Sequence, residues 1–223
     1  MMSTSAQTAA IILAAGTSSR MGQDRHKLLL PLGDRPVLAH VLAAALASQA
    51  RPIVLVLGHQ ANGVRTQLAP YLHDPAIIQV ENPVYRQGMS TSLLAGLRTL
   101  QQEFPAIDSA LILLGDQPLL TATIIDTLIA DRHARQATIV APIYHGKRGN
   151  PVLFAADLFP ELLQVTGDEG GRQVITQHRQ EVATIELGSA LPAYDVDTWE
   201  AYQQVVTIWQ QQQGQENNGK RDE

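Results

Sequence analysis

The most informative stretch of the chain reads Ile11-Ile12-Leu13-Ala14-Ala15-Gly16-Thr17-Ser18-Ser19-Arg20-Met21-Gly22, and Lys27 follows shortly after it. The apolar run predicts a buried strand, and the small residues after it predict a loop that a ligand can approach closely. Backbone N–H groups in such a loop can point at phosphate oxygens. Arg20 and Lys27 supply matching positive charge. The segment is neither a Walker A loop nor a dinucleotide fingerprint, because it contains neither Gly-Lys-Ser/Thr nor G-x-G-x-x-G.

Composition limits the class of protein. A chain of 223 residues with 45% hydrophobic and 17% charged residues can form one α/β domain with a well-buried core. The net charge of -5 argues against a general nucleic-acid-binding protein, and the absence of cysteine excludes disulfides and thiolate chemistry. No apolar run approaches the roughly 18 residues of a membrane span, and residues 1–8 lack the features of a signal peptide. We therefore expect a cytoplasmic enzyme or binding domain without a nucleic-acid or membrane partner.

Apolar and amphipathic segments alternate along the chain. Buried strands are predicted at residues 9–13, 53–57, 77–80, 110–114 and 137–142. Helices are predicted at residues 37–46, 64–72, 90–100 and 121–135. This alternation predicts an α/β fold with a three-layer, Rossmann-like, mostly parallel sheet and helices on both faces.

The domain organisation follows from the same pattern. We expect an N-terminal extension at residues 1–8, a single domain at 9–209 and a disordered polar tail at 210–223, where Gln, Asn and charged residues dominate. The pattern loosens after Pro142. Glycine-bearing loops at 146–151 and 167–172 are expected to form a smaller layer facing the substrate.

Acidic residues at two places are candidates for binding a metal ion. Asp116 directly follows the strand at 110–114, so its carboxylate is expected at the sheet edge where ligands of parallel sheets bind. Mg²⁺ prefers a few carboxylates together with water and substrate phosphates, although an Asp at this place can also merely shape a turn. Asp197, and to a lesser degree Asp195, could provide a second carboxylate. Asp197 followed by Glu200 also matches a helix-capping pattern, and a capping carboxylate keeps one oxygen free.

A polar segment at residues 82–92 opens the predicted helix at 90–100. Its hydroxyl groups can cap that helix or line a pocket for a base or ribose, and the residues alone leave both alternatives open. Lys147 also stands out, because the chain has only two other lysines, Lys27 and Lys220. The seven histidines do not cluster at metal-ligand spacing, and no Gly-x-Ser-x-Gly elbow occurs. Neither a zinc site nor a serine hydrolase is therefore expected.

These segments resemble the MobA-like nucleotidyltransferase superfamily, and more closely its molybdenum cofactor cytidylyltransferase branch. The resemblance runs over residues 10–202 and is carried by residues 13–22 with Lys27, by 82–92, by Gly115-Asp116-Gln117-Pro118 and by Asp195-Val196-Asp197-Thr198. Residues 149–154 and 167–172 resemble two later loops of that branch. The chain departs from its relatives at Asn150, where they often have His, at Gly171, where they often have Ala, and at Thr198-Trp199-Glu200-Ala201, where Thr-Pro-Glu-Asp is frequent. Ala15 favours the cytidylyl branch over the guanylyl branch, which usually has Gly there.

The resemblance implies a nucleotide-diphospho-sugar-transferase-like fold and transfer of CMP from CTP to the terminal phosphate of the molybdopterin cofactor, with release of pyrophosphate. The implied catalytic residues are Arg20, Lys27 and Asp116, and the implied Mg²⁺ ligands are Asp116 and Asp197. The implied nucleotide-binding residues are Leu13, Ala14, Ala15, Gly16, Asn82 and Ser92. We expect molybdopterin, with its phosphate and polar pterin, between the two later loops, at Lys147, Arg148, Asn150 and Arg172. The implied partners are CTP or another NTP, molybdopterin and a possible client molybdoenzyme.

Two other classes of function remain open at this point. The first is a guanylyl or sugar-phosphate nucleotidyltransferase on the same fold. The second is a non-catalytic chaperone that binds molybdopterin and delivers it to a client. Asp116, Lys27 and Arg20 argue against the chaperone, because binding alone does not require a carboxylate for a metal ion.

Overall fold

The computed structural model describes residues 7–21 and 26–219, and describes 215–219 only as helical backbone. Gly22, Lys220 and most of the expected N-terminal extension lie outside these residues. The strands are β1 (Thr8–Ala14), β2 (Pro31–Leu32), β3 (Arg35–Pro36), β4 (Ile53–Leu57), β5 (Ile77–Glu81), β6 (Ser109–Leu114), β7 (Ile139–Tyr144), β8 (Lys147–Arg148), β9 (Val152–Ala155) and β10 (Val182–Leu187). The helices are α1 (Val37–Ala47), α2 (Ala61–Leu68), α3 (Met89–Glu103), α4 (Ala122–Arg135), α5 (Phe159–Leu162), α6 (Arg172–Gln177) and α7 (Trp199–Gly219). Within the described ranges, no helix is both long enough and apolar enough to cross a membrane.

One large sheet organises the molecule. Its strand order is β10-β7-β9-β6-β1-β4-β5, with β8 paired to β7, while β2 and β3 form a separate small hairpin. Neighbouring strands along this order are parallel, except that β9 runs antiparallel to both β6 and β7. The prediction of a mostly parallel sheet is confirmed.

Both faces of the sheet are covered. Successive side chains of a strand point to opposite faces, so Ala10 and Ile12 of β1 pack on one side with helices α1, α2 and α4. Ala9 and Ile11 pack on the other side with α3, α5 and α6. All four side chains are fully buried. The predicted three-layer α/β architecture is therefore confirmed, and it explains why β1, β4 and β6 are apolar almost throughout.

The chain after Pro142 does not form a separate smaller layer. β7 continues to Tyr144, and the chain turns back through His145 and Gly146, which both have positive φ. β9 then enters the main sheet between β6 and β7, and β10 adds to the outer edge. The sequence pattern misses both strands, because β9 is only four residues long and β10 alternates half-buried with exposed residues.

The C-terminal segment also differs from its prediction. Helix α7 continues to Gly219, through most of the segment 210–223 for which composition predicts a disordered tail. Its first turns are anchored, because Tyr202 and Val205 are buried against the β2–β3 hairpin and Leu119. The hydroxyl of Tyr202 also donates to the carbonyl oxygen of Pro31 across 2.6 Å. Six of residues 210–219 are Gln or Glu, which are good helix formers and favour extension of the helix beyond its packed turns.

Candidate active site

The loops that follow β1, β4, β5 and β6 meet at one edge of the sheet, where these parallel strands all end. Backbone hydrogen bonds hold the loops together. The N–H of Gly115 donates to Leu13 across 3.0 Å, and the N–H of His59 donates to Ala15 across 3.1 Å. A Cβ at Gly58 would lie 2.7 Å from the Cβ of Ala15, so this close approach needs a glycine. The edge that the sequence predicts as the ligand-binding edge is thus a tightly connected rim.

The loop after β1 leaves space for a ligand. Ala14 and Ala15 are buried, whereas Gly16 is exposed and no heavy atom lies within 4 Å of the place where its Cβ would be. Ser18 adopts a left-handed φ of 56°, and its hydroxyl accepts the backbone N–H of Lys27 across 3.0 Å. This bond fixes the backbone of Lys27 to the loop and leaves its side chain to reach the rim.

A cluster of four charged side chains lies at this rim. The ammonium of Lys27 donates to Oδ2 of Asp116 and to Oδ1 of Asp197, the second contact at 2.6 Å. A guanidinium N–H of Arg20 donates to Oδ2 of Asp197 across 2.9 Å. The side chains of Lys27 and Asp116 are 13% and 16% exposed, whereas that of Arg20 is 72% exposed. The predicted catalytic and metal-binding residues therefore come together, with Lys27 at the centre and Arg20 on the outside.

The charges of this cluster stabilise each other. Burial alone would lower the pKa of Lys27, but the charges and hydrogen bonds of Asp116 and Asp197 raise it above its ordinary value. Partial burial would raise the pKa of Asp197, but the hydrogen bond and charge of Lys27, with Arg20 beside it, lower it. For the neighbouring Asp195, partial burial and then the charges of Asp197 and Asp116 raise the pKa. Lys27 and Asp197 thus remain fully charged at neutral pH.

The segment before α7 brings Asp197 to Asp116. The backbone N–H of Val196, which is fully buried, donates to the carbonyl oxygen of Asp116 across 2.9 Å. Thr198, not Asp197, caps the helix, because its hydroxyl accepts the N–H of Ala201 across 3.2 Å. The capping role predicted for Asp197 is therefore wrong, and both of its oxygens are used by Lys27 and Arg20.

The arrangement of Asp116 and Asp197 fits a divalent metal ion. Their carboxylates converge on one cation, the Lys27 ammonium, which marks the place where a positive ion is held by both. An all-oxygen donor set suits Mg²⁺ or Mn²⁺. Among the described residues no group of three or more His, Cys, Asp or Glu side chains could hold a metal ion. The remaining ligands would therefore come from water and from substrate phosphates, as is usual for Mg²⁺.

A cavity of about 370 Å³ opens beside this cluster. It is lined by Leu13, Ala14, Ala15, Gly16, Thr17, Lys27, Leu28, Tyr85, Arg86, Gly88, Met89, Ser92, Leu114, Asp116 and Asp168. The predicted nucleotide loop and the predicted catalytic Lys27 and Asp116 therefore share one cavity. Sequence reasoning missed Tyr85, Arg86 and Met89 as lining residues, although all three fall in the polar segment at 82–92 that it singled out.

The hydroxyl groups of the segment 90–92 do not cap α3. The Ser90 hydroxyl donates to the carbonyl oxygen of Gly167 across 2.6 Å, and Asn82 donates through Nδ2 to the hydroxyl of Ser92 across 3.0 Å. The first N–H of α3, that of Met89, is instead bound by the carboxylate of Asp168 across 3.1 Å. Asn82 is buried and holds Ser92 at the cavity wall, which agrees with the pocket alternative.

A second, smaller cavity of about 90 Å³ adjoins the first. Asn150 and Arg172, which are predicted to bind the acceptor, both line it, and Asp168 and Met89 line both cavities. Lys147 and Arg148 do not join them. They lie on the exposed β8 strand and line neither cavity. Sequence reasoning did not single out Asp168, which lines both cavities. Its role is visible only from the hydrogen bond that its carboxylate accepts from the N–H of Met89 on α3.

Comparison with known proteins identifies the family of the chain. The profile of the MobA-like NTP transferase domain matches residues 10–182. The chain is 30% identical to the molybdenum cofactor cytidylyltransferase of Escherichia coli (strain K12) over 193 residues, which cover 84% of this chain and 90% of that protein. It is 35% identical to the bifunctional protein GlmU of Syntrophotalea carbinolica over 133 residues, 60% of this chain. That match spans only 27% of the length of GlmU.

A solved structure shares the fold over almost the whole chain. Rv0371c of Mycobacterium tuberculosis H37Rv superposes with a TM-score of 0.75 and is 28% identical, with coverage of 92% of this chain and 100% of that one. A second structure of Rv0371C, in complex with manganese, gives a TM-score of 0.72 at 27% identity. A protein that shares this fold has thus been solved in complex with manganese.

Proposed function

This chain belongs to the MobA-like NTP transferase family, and we propose that it is a nucleotidyltransferase that moves CMP from CTP to the terminal phosphate of molybdopterin carrying molybdenum. The observation that carries the proposal is the convergence of Lys27, Asp116 and Asp197 beside the cavity lined by the loop after β1. The choice of CTP and molybdopterin is supported by the likeness to the Escherichia coli cytidylyltransferase over 84% of the chain.

The proposed reaction is a single phosphoryl-centred substitution. A phosphate oxygen of the acceptor forms a bond to the α-phosphorus of CTP. The bond from the α-phosphorus to the oxygen that bridges to the β-phosphate breaks, and pyrophosphate leaves with that electron pair. Little covalent work falls to the protein in such transfers, so positioning and charge neutralisation dominate.

The residues at the rim have distinct roles in this proposal. Backbone N–H groups of the loop around Gly16 bind triphosphate oxygens, because no side chain blocks their approach. Lys27 and Arg20 neutralise the charge that develops on the leaving pyrophosphate. Asp116 and Asp197 hold Mg²⁺, which supplies further charge neutralisation at the phosphates when it is bound. Ser92, held by Asn82, lines the part of the cavity assigned to the nucleoside.

The acceptor is assigned to the smaller cavity. Arg172 offers a guanidinium for a phosphate, and Asn150 offers an amide for the polar edge of a pterin. Leu13, Leu114 and Met89 line both cavities, so an acceptor there lies next to the bound nucleotide. We do not extend the acceptor site to Lys147 and Arg148, because both are exposed on the β7–β8 hairpin outside the two cavities.

Pyrophosphate release tests the proposal. The purified protein is mixed with Mg²⁺ and each of the four NTPs, with and without molybdenum-loaded molybdopterin. We expect release only when molybdopterin is present, fastest with CTP, and at least about 100-fold slower in Asp116→Asn. Asp157→Asn is the matched control, because Asp157 is exposed and follows β9 at the opposite edge of the sheet.

A sugar-phosphate acceptor is the second candidate, because the sequence leaves open a sugar-phosphate nucleotidyltransferase on the same fold. An additional arm of the same assay therefore supplies UTP with a sugar 1-phosphate. Release in that arm, or with GTP and molybdopterin, would replace the proposed substrates. Tight molybdopterin binding without pyrophosphate release in any arm would favour the chaperone and overturn the proposed reaction.

A further inference from the structure

Lys27 occupies the place between the two carboxylates that are assigned to the metal. Its ammonium contacts Oδ2 of Asp116 on one side and Oδ1 of Asp197 on the other. Only 13% of the Lys27 side chain and 16% of the Asp116 side chain are exposed, so this ion pair is mostly shielded from water. The ammonium therefore serves as a cation already present in the metal site.

A divalent ion cannot share this place with the ammonium. Mg²⁺ binds carboxylate oxygens at about 2.0 to 2.1 Å, so an ion on Asp116 and Asp197 would be forced against the Lys27 nitrogen. Charge balance also weakens the attraction for a metal ion. Lys27 and Arg20 together balance the charges of Asp116 and Asp197, and the neighbouring Asp195 is the further carboxyl group near the pair.

Lys27 has an alternative partner when a triphosphate is bound. Its backbone is fixed by the hydroxyl of Ser18, while its long side chain lines the larger cavity beside Ala15 and Gly16. A triphosphate on that loop offers several negative oxygens within the same cavity. When the Lys27 ammonium moves to those oxygens, it leaves Asp116 and Asp197 with excess negative charge.

We propose that Lys27 is an internal counterion that excludes a divalent metal ion from Asp116 and Asp197 until a triphosphate draws its ammonium away. Metal binding and triphosphate binding are then mutually dependent, because each favours the same displaced position of one side chain. This inference rests on the proposed function for the identity of the triphosphate. It adds that the free protein binds the metal weakly and that the two ligands bind cooperatively.

Binding of Mn²⁺ in the absence of nucleotide tests the exclusion directly. The free aquo ion is measured by electron paramagnetic resonance during titration of the wild type, Lys27→Met and Lys27→Arg. We expect Lys27→Met to bind Mn²⁺ about tenfold more tightly than the wild type, since coupling energies of this kind usually change affinity 5- to 150-fold. Lys27→Arg keeps the charge and should stay within about threefold of the wild type.

Two further variants locate the effect. Arg148→Met is the matched control, because Arg148 is an exposed cation on β8 that lines neither cavity, so its removal should change Mn²⁺ affinity less than about threefold. Adding Asp116→Asn to Lys27→Met should abolish the gain. Equal or weaker Mn²⁺ binding by a folded Lys27→Met protein would overturn the proposal, as would a gain that persists with Asp116→Asn.

A second measurement uses the wild type and does not depend on how Lys27→Met folds. A CTP analogue with a methylene group between the α- and β-phosphorus atoms is added, and the complex of Mn²⁺ with free analogue is subtracted. The analogue should tighten Mn²⁺ binding by about tenfold in the wild type and by much less in Lys27→Met. No tightening in the wild type would overturn the proposal. None of these readouts requires turnover, so failure of pyrophosphate release would count against the proposed function alone.

Discussion

Val196 donates its backbone N–H to the carbonyl oxygen of Asp116 across 2.9 Å, and this bond joins the entry of α7 to the loop after β6. Val196 is fully buried, in the cluster that α7 forms with the β2–β3 hairpin. The position of Asp197 beside Asp116 therefore depends on the docking of the last helix. The predicted metal site is built from two distant segments that only the folded chain brings together.

Replacement of either carboxylate should impair turnover while the fold persists. Asp116→Asn should lower the rate of pyrophosphate release by at least about 100-fold, because it removes a charge from the site where the metal and triphosphate are assigned. Asp197→Asn should cost at least about tenfold, since Asp197 is more exposed and Asp116 is retained. Steady-state kinetics with circular dichroism would check this. Wild-type rates in folded Asp116→Asn would contradict the metal assignment.

Alanine substitutions of Arg172 and Lys147 should differ in their effect on ligand binding, although both residues are exposed cations that directly follow a glycine. Arg172 lines the smaller cavity and Lys147 does not. Arg172→Ala should weaken molybdopterin binding by about tenfold or more, the usual effect of losing a charge-assisted hydrogen bond, and leave CTP binding nearly unchanged. Lys147→Ala should change neither. Titration of the two ligands by fluorescence would measure this, and a loss for CTP alone would move the acceptor elsewhere.

The contact between α3 and the loop at 167–171 should be sensitive to a single methyl group. Gly88 has a φ of 116°, and a Cβ there would lie 2.5 Å from the carbonyl oxygen of Gly167. Gly88→Ala should therefore lower the free energy of unfolding by about 1 to 3 kcal/mol. Gly63→Ala is the matched control in the exposed part of α2, where nothing lies near the new methyl group. It should stabilise by about 0.5 to 1 kcal/mol in urea unfolding. Similar effects of the two substitutions would contradict this close packing.

His178 should give stability a modest dependence on pH. Hydrogen bonds to Glu161 and Glu181 raise the pKa of His178 above its ordinary value of 6.5. Because the folded state holds the proton more tightly, this stabilisation is fully present below pH 6.5 and is lost as the pH rises through the raised pKa. Its size should not exceed about 1 kcal/mol, since both glutamates are exposed and screened.

Urea unfolding of His178→Gln and the wild type at about pH 5.5 and about pH 8.5 checks this dependence. The free energy of unfolding of the wild type should exceed that of His178→Gln only at the lower pH. His73→Gln, which changes an exposed histidine without a hydrogen bond described in the structure, serves as the control. If His178→Gln lost more unfolding free energy relative to the wild type at the higher pH than at the lower pH, the stabilising role of protonated His178 would be contradicted.

Much of the fold follows from the sequence, because a strand covered on both faces must be apolar throughout. β1, β4 and β6 show that pattern, and β4 has the predicted bounds of 53–57. β9 and β10 do not show this pattern clearly, because a four-residue strand and an edge strand give only a weak hydrophobic pattern in the sequence. The strand order, in which β9 lies between β6 and β7, therefore comes from the structure and not from the sequence.

The candidate site is predictable where a side chain follows a strand. Asp116 and the loop around Gly16 follow β6 and β1, and parallel strands end on the same edge. Asp168 could not be found in this way, because its partner is an N–H at the start of α3, far away in the sequence. The position of Lys27 between two carboxylates could not be predicted from the sequence either. Its charge alone predicts contact with phosphate and not with Asp116 and Asp197.

The insertion of β9 between β6 and β7 has a consequence for synthesis of the chain. When the ribosome has made residues up to the end of β7, one edge of β6 is still open, because β6 pairs with β1 on one edge and with Val152–Ala155 of β9 on the other. An open, apolar edge strand is prone to pair with other chains. Phe154, almost completely buried beneath this edge, is also still missing from its cluster. The nascent polypeptide can therefore complete its main sheet only once residues 152–155 have been synthesised.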